Sequence, residues 1–402
     1  MLFSIYIFHP VSGHVFYDSI ANSRHIVLWL AREYELYEIP RTEIVSKSAI
    51  SPEDNILLII DESVRADYLS AINENVGKTT PWLSKYLSEF NETAFNYGIM
   101  LAGGTNSFLG RSIILTGISR LPDEDFSSQR NPTVFQVAKA NGYKTVLIDL
   151  QGMFPYSVIR KSDMGYVDEV YLKWSVFSSD PKKADIAAAA QLRKRMNEEK
   201  GLFIVLLKWG VHVHYEARYP GSEAEHQHFL PKLEEEERHS SEKRLQIVNS
   251  YKNALRYNVD GFFSALLGSD LRSLKNTTIL WTSDHGQSLQ EDGQLEPHSS
   301  SYIEQALVPF VMFSTNRWVL DNLKRPKDIE FTLSHMNIYP SLCSIMEKKT
   351  NVINGEYTSL FYTGEPILPP LCYVYGSLWN GIVAHPDVEN NKLKLREEKY
   401  LY

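Results

Sequence analysis

Cysteine is almost missing from this chain: Cys343 and Cys372 are the only two in 402 residues. Two thiols cannot build a disulfide scaffold, and their spacing is wrong for a zinc knuckle. One disulfide between them is open; two unlinked core thiols are the simpler expectation. Long apolar runs are lacking too. No segment reaches bilayer-spanning length, and the apolar start Met1–Phe8 is short and lacks the charged region of a signal peptide. Read literally, the chain is soluble and unexported, although it equally fits a chain that starts just after a membrane segment. Basic charge is in deficit. With 41 Lys and Arg against 49 Asp and Glu, the net charge of −8 argues against a nucleic-acid partner. Internal repeats and low-complexity tracts are also absent. What remains is 43% hydrophobic and 22% charged, an ordinary composition for a chain long enough to bury a large core.

The pattern along the chain is helix, glycine, strand, repeated. Residues 14–36 read as one amphipathic helix, and Ile56–Ile60 as the first strand. Thr79-Thr80-Pro81 opens a helix over Thr80–Phe90. Ser107–Thr116 is a second, ended by Gly117. Thr133–Asn141 and Tyr143–Leu150 read as helix then strand, as do Asp185–Lys200 and Leu202–Trp209. The polar run 223–243 is expected as a solvated excursion, followed by a helix over Arg244–Leu267 and a strand over Thr277–Trp281. From about Thr350 the chain is loop-rich and ends in an expected edge strand, Lys392–Arg396. These units predict an α/β fold with a mostly parallel sheet sandwiched by helices. No Pro/Gly linker divides it, so a linker helix region (1–48) and a single domain (49–402) are expected.

Two apolar runs break off into ligand-type side chains. Asn55–Asp67 reads NILLIIDESVRAD and Thr277–Ser288 reads TTILWTSDHGQS. In an α/β sheet, residues that follow a buried strand sit at its carboxyl edge, where such folds place their chemistry. Glu62 (with Asp61 beside it), Asp284 and His285 then converge as an O/O/N metal site, because such a cluster is costly without a cation. The glycine-rich turn 103–117 delivers Ser107 to a helix start, whose free N–H groups favour an anion. A divalent cation would activate its hydroxyl, and Ser107 would complete a tetrahedral zinc site. Arg111, one turn on, is placed to pair with a phosphate or sulfate oxygen. Each piece also has an ordinary reading: Asp-His as a turn, Glu62 as a helix cap, Ser107 as a plain N-cap.

Taken together, and across roughly residues 50–345, these pieces resemble the sulfatase-like branch of the alkaline phosphatase superfamily, in particular bacterial phosphoethanolamine transferases that modify lipopolysaccharide. Asp61–Asp67 is similar to the G-E-[ST]-x-R-x-[DE] ligand strand, Thr79-Thr80-Pro81 to T-[TF]-P, and Gly104–Ser107 to the G-T-x-T nucleophile turn. Gly210-Val211-His212 resembles the [GS]-x-H-G-P block, and Arg218-Tyr219-Pro220 the following R-Y-P. Asn249–Leu255 is similar to N-x-Y-D-N-x-[IL], Ser283–Gly286 to the second ligand strand, His298 to the downstream histidine, and Ser334–Asn337 to S-H-D-N.

The resemblance implies that Glu62, Asp284, His285 and Ser107 bind a zinc ion, with a second metal open and Mn2+ or Ca2+ less favoured. It implies that Ser107 becomes covalently modified, and that His212 and His298 contact the second substrate, a second metal or the leaving group. The implied reaction transfers phosphoethanolamine from a phospholipid donor to lipid A, core oligosaccharide or another glycan acceptor, at a membrane surface on the periplasmic side. Sulfatase or phosphodiesterase hydrolysis, or phosphoglycerol transfer, would suit the same fold, and a non-catalytic binding protein is a further alternative. The chain departs from the pattern in several places. Serine replaces the usual threonine nucleophile, Val213-His214 stands where G-P follows the motif histidine, and Lys252 replaces the aspartate of Y-D-N. Leu109 stands where the sulfatase signature needs the proline for formylglycine conversion. His214, His226 and His228 are expected to be solvated or structural.

Overall fold

Seven runs rich in Leu, Ile, Val and Phe pair into one sheet. They are Asn55–Asp61 (β1), Ala94–Leu101 (β2), Lys144–Asp149 (β3), Glu169–Leu172 (β4), Leu202–Leu207 (β5), Thr277–Ser283 (β6) and Leu307–Ser314 (β7). The computed structural model describes residues 39–45, 52–152, 158–220, 228–234, 240–294, 296–365, 367–368 and 370–394. Contacts divide the chain at Arg41–Thr42, and the sheet with its helices belongs to the unit from Thr42 onward. The helix expected over 14–36 lies outside the described residues.

The strand order is β2-β7-β6-β1-β5-β3-β4. Only β7 runs against the other six. β1 lies at the centre and is buried along its whole length. Its side chains alternate between layers: Leu57 and Ile59 enter one core, Ile56, Leu58 and Ile60 the other. Each such side chain contributes about 1.5–3 kcal/mol by leaving water.

Helices cover both faces. Pro81–Glu89 (α1), Ala184–Glu198 (α4), Arg244–Leu255 (α5) and Phe262–Leu267 (α6) pack on the first face. Ser107–Thr116 (α2), Val134–Ala140 (α3) and Ile338–Glu347 (α7) pack on the second. The local signals explain most of their bounds. Gly117 adopts φ 62 to close α2, and Thr133 with Gln136 forms a capping box on α3.

Four differences from expectation have physical causes. The helix foreseen over Arg244–Leu267 is interrupted by a π-helical turn, Arg256–Gly261. That wider turn lets Asp260 reach α1, where its carboxylate accepts Trp82 N–H at 3.1 Å and Leu83 N–H at 2.8 Å. Strand β7 carries Pro309, which argues against a central strand. Here Pro309 pairs with Ile99 beside a bulge in β2, just past the last β6 pair, Thr282–Phe310. Strands β2 and β4 and helix α7 have patterns too weak to read from sequence. Finally, of the edge strand expected over Lys392–Arg396, the described part pairs through Lys392–Leu393 with Val388–Glu389 and not with the main sheet, while residues 395 and 396 lie outside the described residues.

Candidate active site

Because β1 and β6 are parallel neighbours in register Asp61↔Ser283, their carboxyl ends coincide and Glu62 and Asp284 emerge side by side. The turn after β1 places Ser63 at φ 61, a strained left-handed conformation for serine. Its surroundings over-determine it: Ser63 N–H donates to Asp284 Oδ1 at 3.1 Å, and Tyr251 donates to Ser63 O at 2.8 Å. Ser283 Oγ accepts Val64 N–H at 2.8 Å, binding the two strand ends again.

Helix α2 brings the serine. Asn106 Oδ1 accepts Leu109 N–H at 3.0 Å, so Asn106 is the N-cap and the Ser107 hydroxyl is left for other work. Glycine sets two close approaches. A Cβ on Gly110 would lie 1.9 Å from Asp284 O, so only glycine lets α2 press onto the ligand strand. Gly210, at φ 62, would place a Cβ 2.6 Å from Glu62 Cβ. A C-terminal hairpin braces the same turn, with Val374 N–H donating to Gly103 O at 2.9 Å and Thr105 N–H to Val374 O at 3.3 Å.

Ser107 Oγ lies 3.1 Å from Glu62 Oε2 and 3.4 Å from His285 Nε2. His285 Nδ1–H donates to Gly286 O at 2.6 Å, which turns Nε2 inward. Glu62, Asp284 and His285 are buried, and their ligand atoms all lie within 4.8 Å of one another. Burial works against charge on Glu62, yet His285 and Arg111 hold it well below the ordinary carboxylate range. Burial and the Glu62 charge push Asp284 up to about 6. Burial opposes protonation of His285, but Asp284 and Glu62 outweigh it and raise the imidazole to about 9. One imidazole nitrogen, two carboxylates and a facing hydroxyl form a donor set that fits zinc.

The other expected residues take varied places. Arg111 is buried beside the centre, and its Nη2 meets the two candidate ligand acids, Glu62 Oε2 at 2.8 Å and Asp284 Oδ2 at 3.2 Å. Asp61 turns away from the centre, accepting Lys208 Nζ at 2.6 Å and Trp281 Nε1–H at 3.2 Å. His212 and His298 stand above His285. The His298 ring centroid is 5.3 Å from each of the other two. Burial lowers His212, and burial together with the neighbouring imidazoles pushes His298 down to about 4, so His298 is neutral at neutral pH. His214 is exposed 3.5 Å from Glu216. His228 lines a cavity of about 300 Å³ with Trp82 and Arg256, and His226 lies outside the described residues. Both cysteines are free thiols.

Gln151 and Lys208 escaped the sequence, whereas His335 and Asn249–Asn253 lie in blocks already read from it. Gln151 follows β3 and donates from Nε2 to Glu62 Oε2 and to Lys208 O, both at 2.8 Å. Lys208 is fully buried and also donates to Asn258 O at 2.7 Å. His335 donates from Nε2 to Ser283 O at 2.9 Å, while its Nδ1 accepts Gly103 N–H at 3.4 Å, tying nucleophile turn to ligand strand. The block Asn249–Asn253 works as a clamp. Tyr251 holds the turn after β1, whereas Asn249, Ser250 and Asn253 bond Pro231, Leu233 and Phe229 of the excursion. A polar loop position carries no periodicity; the one signal for Gln151 was its place just past a buried strand.

Comparison with known proteins agrees with this geometry. Among solved structures, the periplasmic domain of EptC from Escherichia coli superposes with a TM-score of 0.68 at 16% identity, covering 87% of this chain and 96% of that one. The same domain has also been solved in complex with Zn. The soluble domain of lipooligosaccharide phosphoethanolamine transferase A from Neisseria meningitidis gives a TM-score of 0.61 at 19% identity over 77% of this chain and 93% of its own. A putative sulfatase from Bacteroides thetaiotaomicron gives 0.55 at 14% identity, covering 81% and 78%. These likenesses show an alkaline phosphatase/sulfatase-like fold. No curated protein matches. No helix among the described residues is long and apolar enough to cross a membrane. The sulfatase family model matches residues 54–348, most of the chain and all of the centre built above, so this protein belongs to the sulfatase family of the alkaline phosphatase superfamily.

Proposed function

We propose that the protein transfers phosphoethanolamine from a phospholipid donor to a lipopolysaccharide or other glycan acceptor through a covalent intermediate on Ser107. The observation that carries this reading is the Ser107 hydroxyl, released from capping by Asn106 and facing Glu62 and His285 at 3.1–3.4 Å. Glu62, Asp284 and His285 would hold a zinc ion, which when bound lowers the pKa of a neighbouring hydroxyl and offsets charge on phosphoryl oxygens.

The chain's own groups account for the rest. In the first displacement Ser107 Oγ bonds to phosphorus and the bond to the diacylglycerol oxygen breaks. One imidazole, His298 or His212, would take up the seryl proton and return it to the departing oxygen. In the second, an acceptor hydroxyl attacks phosphorus, its proton follows the same route, and the Ser107 oxygen recovers it. The free N–H groups at the start of α2 stabilise the transferring oxygens. Two in-line displacements give ping-pong kinetics.

Hydrolysis of sulfate esters is the weaker reading. Leu109 interrupts the formylglycine signature, and Asp61, the second acid such a site would use, is engaged by Lys208. The similar EptC structures from Escherichia coli and Campylobacter jejuni are periplasmic domains, which supports work on the outer side of the inner membrane; the catalytic domain is proposed over 49–402, with a linker at 1–48. Intact-mass spectrometry after incubation with phosphatidylethanolamine tests the proposal. An added phosphoethanolamine on wild type, absent from Ser107→Ala, is expected. Turnover by Ser107→Ala at more than about a thousandth of the wild-type rate would remove Ser107 from the mechanism.

A further inference from the structure

Just outside the centre, Arg218 is fixed from three directions. Its Nε donates to His212 O at 2.7 Å, and its own carbonyl accepts Asn258 Nδ2 at 2.6 Å. The guanidinium lies 4.6 Å from the Trp209 ring centroid. Asn258 belongs to the π-helical turn and its carbonyl also accepts Lys208 Nζ, so the same turn sets Arg218 and the cation that neutralises Asp61. Trp209 is anchored in turn, its N–H donating to Asp185 Oδ1 at 2.8 Å.

What this positioning leaves is a charge with no counter-charge in contact. Among the described residues no carboxylate reaches ion-pair distance of Arg218, and no acceptor meets either Nη. Half-burial lowers its pKa, against the fields of Glu62, Asp185 and Glu216. A partly desolvated guanidinium is costly to leave unpaired, and its planar fork matches a tetrahedral oxyanion. Arg111, by contrast, already has two carboxylates in contact, Glu62 and Asp284. We infer that Arg218, backed by Trp209 and beside His212, is a phosphate-recognition residue at the rim of the centre, binding a phosphoryl oxyanion of a substrate. The inference rests on the reading of the centre as a phosphoryl-transfer site. The oxyanion belongs either to the donor diester or to a phosphate on the acceptor.

The probe is O-phosphoethanolamine, titrated calorimetrically into zinc-loaded wild type, Arg218→Ala and Arg218→Lys. Loss of charge-assisted bonds predicts a Kd raised about ten- to a hundredfold in Arg218→Ala, with zinc content unchanged. Arg218→Lys keeps the charge but loses the fork, so it falls between, and it decides the matter if the alanine variant does not fold. A lysine variant with a Kd within about twofold of wild type would overturn the inference. So would a lower maximal rate of adduct formation at unchanged Kd, which is what a purely structural hold on His212 produces. Two further arms assign the source. A raised half-saturation for phosphatidylethanolamine in Ser107 adduct formation points to the donor. A raised half-saturation only for a phosphorylated acceptor, and not for its dephosphorylated form, points to the acceptor. Failure of the two readings is separable: wild type that forms no adduct but shows Arg218-dependent phosphate binding loses the transfer reading and keeps this subsite.

Discussion

The inner and outer halves of the site are built differently. The inner half, Glu62, Asp284 and His285, follows two paired strands and is buried. Each ligand side chain there is held by another group: Ser63, Arg111, Gln151 and the Gly286 carbonyl all take part. The outer half, His212, His298 and Arg218, rides on connections and is partly exposed. Its anchors include backbone atoms of its own loops, Val213 O for His212 and His212 O for Arg218, together with side chains such as Ser299, Asn258 and Trp209. A rigid strand-end cradle suits an ion that must be gripped the same way each cycle. Loop-borne imidazoles and a guanidinium suit groups that meet variable substrates.

That contrast can be broken by experiment. The largest effect is expected inside: Asp284→Asn or His285→Ala should weaken zinc binding by more than about a hundredfold, read as zinc content after dialysis. Unchanged zinc would show that the ligands lie elsewhere. Next, His298→Ala should cut transfer by about a hundredfold or more while zinc content stays at the wild-type level. A joint loss of zinc and activity would erase the boundary between the halves. Gln151→Leu removes the bond that orients Glu62, so metal affinity should fall about tenfold, less than for a ligand and more than for any outer residue.

The smallest effect belongs to the sheet edge. Arg195, with Lys144, holds Glu169 on β4 down to about 2 against an ordinary 4.5, despite some burial. A depressed folded-state pKa means stability present above about 4.5 and lost as the pH falls toward 2. The melting temperature of wild type should therefore exceed that of Glu169→Gln at about pH 6, with the gap closing below pH 4.5. Zinc content should be the same in both at that higher pH. A gap that persists unchanged into acid would show that the ion pair is not its source.

Much of the inner half was legible from the chain alone. β1 and β6 are apolar runs ending in acids, and α2 is closed by Gly117, signals that act within a few residues, whereas its N-cap proved to be Asn106 and not Ser107. β7 was hidden by Pro309, which is tolerated only because a bulge in a distant strand lies beside it. Sequence spacing places Arg111 one turn past Ser107 and says nothing of the carboxylates that stand across from it, Glu62 and Asp284.

By itself the sequence determined strands β1, β3, β5 and β6, the glycine stop of α2 and the candidate ligand side chains, because hydrophobic period and capping chemistry are local. Only the tertiary structure decided how their charges are balanced: Lys208 against Asp61, Arg111 against Glu62 and Asp284, and Arg218 left without a carboxylate among the described residues. Electrostatic pairing depends on distances between residues as far apart as 61 and 208, and those distances exist only once the sheet has formed.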